Sequence, residues 1–197
     1  MTAQTPAPVE RSVVGRCGWA TSAPEYVRYH DEEWGVPLHG DDALFERLTL
    51  EAFQSGLSWI TILRKRPAFR AAFAGFSIPA VAAFTDDDVE RLMADAAIVR
   101  NRAKVTAALR NARAALDLPE GLSALLWSFA PPPGRPRPET LADVPATSPE
   151  SVALAKELKR RGFTFVGPTT SYALMQATGM VDDHVATCFR TGARYPD

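Results

Sequence analysis

One capped helical segment follows another along this chain, and almost nothing in it reads as a strand. Asp41 and Asp42 precede Leu44, Phe45, Leu48, Ala52 and Phe53, which is helical spacing with negative charge at the positive end of the helix dipole. Gly56 is placed to stop that helix, and Ser58 to cap the next, Trp59-Ile60-Thr61-Ile62-Leu63. Thr85-Asp86-Asp87-Asp88 has the form of a capping box with Asp in place of Glu, opening a helix to about Ala94. A second helix is expected from about Arg102 to Leu116, and Leu122 to Phe129 is also helix-like. Ser148-Pro149-Glu150 opens another with Pro at its first position, and Gly162 closes it. The proline-rich stretch 131–138 is a loop, because consecutive prolines remove the backbone donors a helix needs. Phe163-Thr164-Phe165-Val166 is the best strand candidate, and it is short. The pattern is mainly α.

Charge and cysteine content narrow the function classes. With 22 Lys and Arg against 23 Asp and Glu in 197 residues, the chain is not a globally basic nucleic-acid binder, although a local basic patch is compatible. No apolar run approaches the roughly 20 residues of a bilayer span. The first residues, MTAQTPAPVERSVVGR, hold no apolar stretch of the secretory kind, so a soluble, cytoplasmic protein is expected. Two cysteines, Cys17 and Cys188, exclude a disulfide framework and leave free thiols, metal ligands or catalytic groups.

Three groups of residues carry possible chemistry. His184 and Cys188 lie four apart, one helical turn, and with Cys17 and His30 they would complete a tetrahedral Cys2His2 site suited to zinc, clamping the two ends of the chain together. The spacing is not that of a zinc finger, and two unrelated buried thiols with ordinary histidines fit it as well. His39 sits in a turn-like stretch and reads as a surface residue. Arg100, Arg102, Lys104, Arg110 and Arg113 fall in a stretch without acids, starting at a tight connection between two helices. Such a turn near a helix N-terminus binds phosphate through backbone N–H groups, and a solvated helix face is the plain alternative. Arg64-Lys65-Arg66 with Arg70 is equally ambiguous. Trp19, Tyr29, Trp34 and Trp59 are interleaved with the candidate ligands and read as core or as the walls of a pocket for a flat base. Glu51 interrupts an apolar helical face, either turned to solvent or buried for a ligand.

Several motifs in order resemble one family. Arg16-Cys17-Gly18-Trp19, Tyr29-His30-Asp31-Glu32-Glu33-Trp34-Gly35, Leu50 to Trp59, Lys159-Arg160-Arg161-Gly162-Phe163, Phe165-Val166-Gly167 and Asp183-His184-Val185 are similar to the bacterial 3-methyladenine DNA glycosylase I family. The resemblance covers roughly residues 16–190. It implies an all-α, helix-hairpin-helix glycosylase fold with a zinc clamp joining the N- and C-terminal segments. The hairpin would lie at about 86–116, with loose tails at 1–15 and 191–197. By the family pattern, Cys17, His30, His184 and Cys188 hold one structural zinc ion. Trp19, Tyr29, Trp34 and Trp59 form the base pocket, and Glu51 is the base-recognising, catalytic carboxylate. Gly56 and Leu57 fill the gap left by a flipped base, while Arg100, Arg102 and Lys104 contact DNA. The turn Ala96-Ala97-Ile98-Val99-Arg100 lacks the glycines of the wider superfamily's hairpin.

The implied activity is removal of 3-methyladenine, with 3-methylguanine as a further substrate, from alkylated double-stranded DNA by a monomer that cleaves only the N-glycosidic bond. Asp117 reads as a helix-end residue and not as a catalytic acid. Rival readings are a non-catalytic module that binds alkylated DNA, a zinc hydrolase using Glu32 or Glu33, and a plain helical interaction domain.

Overall fold

The computed structural model describes residues 15–190, so the expected tails lie outside the described residues except for Gly15. Among the described residues nine α-helices follow in chain order: α1 Pro24–Glu32, α2 Asp41–Gln54, α3 Trp59–Ala72, α4 Ile78–Ala82, α5 Asp86–Ala94, α6 Arg102–Leu116, α7 Leu122–Trp127, α8 Pro149–Arg160 and α9 Pro168–Ala177. Single 3-10 turns lie at Gly18–Thr21, Ala74–Phe76 and Leu141–Asp143. No strand occurs among the described residues.

The helix α2 is the axis of the molecule. Every residue from Leu44 to Phe53 is buried, which is the state of a helix with neighbours all round. Leu44, Phe45, Leu48, Leu50 and Phe53 join a core with Phe69, Phe73 and Phe76. Phe53 meets Phe69 edge-on at 4.8 Å, a favourable aromatic geometry. The acids at the start of α2 serve its neighbours as well as its own dipole. Asp41 accepts from the Ser123 amide at 2.8 Å, near the start of α7, and Asp42 accepts from the Ile78 amide at 2.8 Å, at the start of α4.

The expected Thr85 box is present, the expected Ser58 cap makes no side-chain bond to the α3 backbone, and Asn101 adds a cap that the sequence reading lacks. Thr85 and Asp88 form the reciprocal box at α5, and the Asn101 side chain accepts from the Lys104 amide at 3.2 Å to open α6. Gly162 ends α8 with φ +92°, a left-handed conformation that glycine adopts without steric cost.

Phe163 to Val166 is not a strand. The side-chain amide of Asn111 takes both groups that a neighbouring strand would pair. It donates to the Thr164 carbonyl at 3.0 Å and accepts from the Thr164 amide at 2.8 Å. The apolar residues of the segment read as β, but a single side chain on α6 holds it as a loop.

Candidate active site

Four polar residues lie in the buried length of α2 and need partners. Glu46 accepts from Arg70 at 2.9 Å. Arg47 donates to Glu33 at 2.5 Å, and the Arg66 guanidinium also reaches Glu33. Burial pushes the Glu33 carboxyl up, but the bonds from Arg66 and Arg47 outweigh it and hold it near 2. The Thr49 hydroxyl has no partner. Glu51 is 5% exposed and neither donates to nor accepts from any described residue. Its one charged influence is Arg47, already bound to Glu33. Burial therefore pushes the Glu51 carboxyl up to about 8.

Glu51 faces a cleft of about 610 Å³. The cleft is lined by Trp19, Tyr29, Trp34 and Trp59, the four aromatics expected from sequence, together with Tyr26, Gln54 and Gln176. Trp19 and Trp34 meet edge-on at 5.1 Å, and Tyr29 and Trp59 lie 5.5 Å apart. Burial raises the Tyr29 hydroxyl, so it stays a donor at neutral pH. Tyr26, Gln54 and Gln176 were not singled out in the sequence. Tyr26 stands one helical turn before Tyr29, a spacing that places both on one face of α1. Gln54 lies inside the Leu50 to Trp59 motif, whereas Gln176 carries no such signal.

Beside the cleft, the side chains of Cys17, His30, His184 and Cys188 converge. All are buried, and their ligand atoms lie within 4.8 Å of one another, so the group has the form of a metal site. Sulfur-to-nitrogen separations are 3.6 Å for Cys17 to His184 Nδ1, 3.4 Å for Cys188 to His30 Nε2 and 3.5 Å for Cys188 to His184 Nδ1. Tetrahedral zinc with S and N bonds of about 2.3 and 2.0 Å has edges of about 3.5 Å, so the donor set fits that ion. Each imidazole turns its other nitrogen to a fixed acceptor: His30 Nδ1 to Asp31 at 2.8 Å, and His184 Nε2 to the Trp34 carbonyl at 3.2 Å. Gly35 permits the second contact. Its φ is +76°, and a Cβ there would lie 2.9 Å from His184 Nε2.

The expected helix under His184 and Cys188 is absent. Asp182 accepts from the His184 amide at 3.2 Å in a side-chain turn, and the Cys188 amide donates to the Val185 carbonyl at 2.8 Å. Two successive turns, and not one helical turn, bring the pair together. The imidazoles also touch the cleft: Trp19 packs edge-on against His30 at 5.4 Å and Trp34 against His184 at 4.7 Å.

The basic residues divide. Arg64, Arg66 and Arg70 pair with Glu25, Glu33 and Glu46, and Lys65 donates to the carbonyls of Ala96 and Ala97 at the turn between α5 and α6. Each cation of that cluster therefore has a partner within the fold, Arg64 and Arg70 at exposed positions. Arg100 is exposed and has no partner among the described residues. Arg102 pairs with Glu90 across the turn, at an exposed position. Lys104 departs from the expected DNA contact. It is 7% exposed, and its ammonium donates to the carbonyls of Phe53 at 2.8 Å and Ser55 at 2.5 Å, closing the C-terminal end of α2. It thereby supports the exposed loop that carries Gly56, at φ +82°, and Leu57, 40% exposed. His39 is a surface residue, stacked on Trp127 at 4.4 Å. Asp117 is exposed at the end of α6 and does not line the cleft.

Fold and site together define a protein, all-helical among the described residues, with an aromatic-walled cleft around an unpaired buried carboxylate. The family model for methyladenine glycosylases matches residues 19–191, and the chain belongs to that family. It is 48% identical over 177 residues to DNA-3-methyladenine glycosylase 1 of Escherichia coli (strain K12), covering 88% of this chain and 95% of that one. It is 43% identical over 178 residues to DNA-3-methyladenine glycosylase of Haemophilus influenzae, covering 88% and 96%. A crystal structure of 3-methyladenine DNA glycosylase I superimposes with a TM-score of 0.86 at 44% identity, over 89% and 99% of the two chains. The Staphylococcus aureus enzyme, solved for the basis of its 3-methyladenine recognition, gives 0.82 at 37% identity over 88% and 94%.

Proposed function

We propose that this protein removes 3-methyladenine from alkylated double-stranded DNA by hydrolysing its N-glycosidic bond, leaving an abasic site. The observation that carries this reading is Glu51, a buried carboxylate without a partner in a cleft of electron-rich rings. An adenine methylated at N3 and joined to deoxyribose is a cation that departs as a neutral base. Its bond is already weak, and no protonation of the leaving group is needed. The work left to the protein is to flip the nucleotide and enclose it.

Tryptophan and tyrosine faces attract a cationic ring over a neutral one. Glu51 accepts from the N6 amino group, and in its ionised form it favours the positive ring. A normal adenine has the amino group without the charge. Water then attacks the anomeric carbon of an oxocarbenium-like transition state, which the same carboxylate stabilises electrostatically.

The exposed Gly56–Leu57 loop fills the space the flipped base leaves. The α5–α6 pair serves as a helix-hairpin-helix, its turn meeting phosphate with Arg100 and Arg102 alongside. Lys104 acts on DNA only through the loop it supports. Lys104→Met keeps the packing of the stem and removes both bonds. It should lower stability by about 1–3 kcal/mol in urea unfolding and reduce kcat/KM on duplex DNA about tenfold.

Cys17, His30, His184 and Cys188 would hold one structural zinc ion, a cross-link between chain ends with no position open to water.

Base release from methylated DNA, with the freed bases separated and identified, tests the assignment. Free 3-methyladenine is expected, and Asp117→Asn should keep most of the rate. Release of 7-methylguanine alone, or a protein that binds the lesion and frees no base, would overturn it.

A further inference from the structure

The helix α9 lends Gln176 to the cleft, and the amide of that residue is held from behind. Gln176 Nε2 donates to Asp183 Oδ2 at 2.8 Å, and the Tyr172 hydroxyl donates to the same oxygen at 2.7 Å. Arg135 donates to the Tyr172 oxygen at 2.8 Å and stands 3.5 Å from Asp183 Oδ1. Asp183 is 1% exposed. The Gln176 edge turned toward Asp183 Oδ2 is therefore its NH2 edge. That leaves the Gln176 carbonyl oxygen without a donor among the described residues, on a side chain that lines the cleft.

We propose that Gln176 is a second base-reading residue, a carbonyl acceptor locked in that role by Asp183, which recognises position 6 of the flipped purine as an amino group. The inference rests on the 3-methyladenine reading given above and names what separates that base from 3-methylguanine. Both lesions carry the methyl group and the positive charge, so the aromatic walls treat them alike. They differ at position 6, where one has two N–H donors and the other an oxygen, and 3-methylguanine further carries an N1–H and a 2-amino group that a residue reading position 6 does not address. Two acceptors, Glu51 and Gln176, match two donors. The Gln176 amide cannot change its role while Asp183 holds its NH2 edge. A site with a fixed acceptor there leaves the guanine oxygen facing another oxygen, which is the strong form of polar discrimination. Asp183 acts through Gln176 and is a positioning residue.

The test compares kcat/KM for release of 3-methyladenine and 3-methylguanine from methylated duplex DNA by the wild type, Gln176→Leu and Asp183→Asn. Gln176→Leu should reduce 3-methyladenine release about tenfold, leave 3-methylguanine release level or higher, and narrow the ratio by about tenfold or more. Asp183→Asn frees the amide to turn and should narrow the same ratio with metal content unchanged, in protein shown to be folded by its cooperative melting. Gln176→Met, unbranched and close in length, replaces the Leu variant if α9 is disturbed. An unchanged ratio in the folded Gln176 variant, whether both rates hold or fall together, overturns the inference. So does a wild type that releases both bases equally well. Failure of the underlying reading looks different, since the wild type would then release no 3-methyladenine.

Discussion

Replacing Glu51 with Gln is expected to cut 3-methyladenine release by about a hundredfold or more while making the free protein more stable. The two effects share one cause. In the wild type, burial lifts the Glu51 carboxyl from its ordinary 4.5 to about 8, with Arg47 committed to Glu33 and no donor nearby. The folded state thus binds a proton that the unfolded chain has released between about pH 4.5 and 8. Stability falls as pH rises through that window, and the destabilisation is fully developed above it. A neutral amide escapes this penalty. The Glu51→Gln melting temperature should exceed the wild type's by roughly 5 °C or more at pH 8, and the gain should vanish near pH 4. Calorimetry across that range measures it. A variant less stable than wild type at pH 8 would mean that the carboxylate has a partner inside the fold.

The second large effect concerns the Cys2His2 cluster. Chelation of the metal, or Cys188→Ala, should lower the melting temperature by about 10 °C or more and abolish base release. The cluster joins Cys17 and His30 to His184 and Cys188, which lie far along the chain. Its imidazoles pack against Trp19 and Trp34, so loosening it also opens one wall of the cleft. One zinc per chain by elemental analysis, lost in step with activity, is the expected result. Full activity in a protein free of metal would remove the clamp from the account.

The helices and the site differed in how much of them could be read from the chain. Caps and periodicity located α2, α5, α6 and α8 because these signals are local: the acids at 41 and 42, the Thr85–Asp88 box, Pro149 and Gly162. Glu51 is visible in the sequence as a carboxylate on an apolar face, but its lack of a partner depends on Arg47 of α2 and Arg66 of α3 meeting Glu33, just past the end of α1. The same limit applies to Lys104. Its charge read as a phosphate contact, whereas the packing of α6 near the end of α2 turned it inward to the Phe53 and Ser55 carbonyls. The segment after Phe163 looked like a strand because nothing local reveals that Asn111 pairs its backbone. Gln176 was silent for a similar reason, since Asp183 reaches it only through the turn that follows α9.

The most direct test is a titration of the Glu51 carboxyl by carbon-13 NMR, in the free protein and bound to duplex DNA with a non-cleavable cationic nucleotide analogue. The account predicts a midpoint near 8 in the free protein and a fall well below neutral pH once the cation lies in the cleft. A midpoint near the ordinary 4.5 in the free protein, or one that does not move when the cation binds, would contradict it.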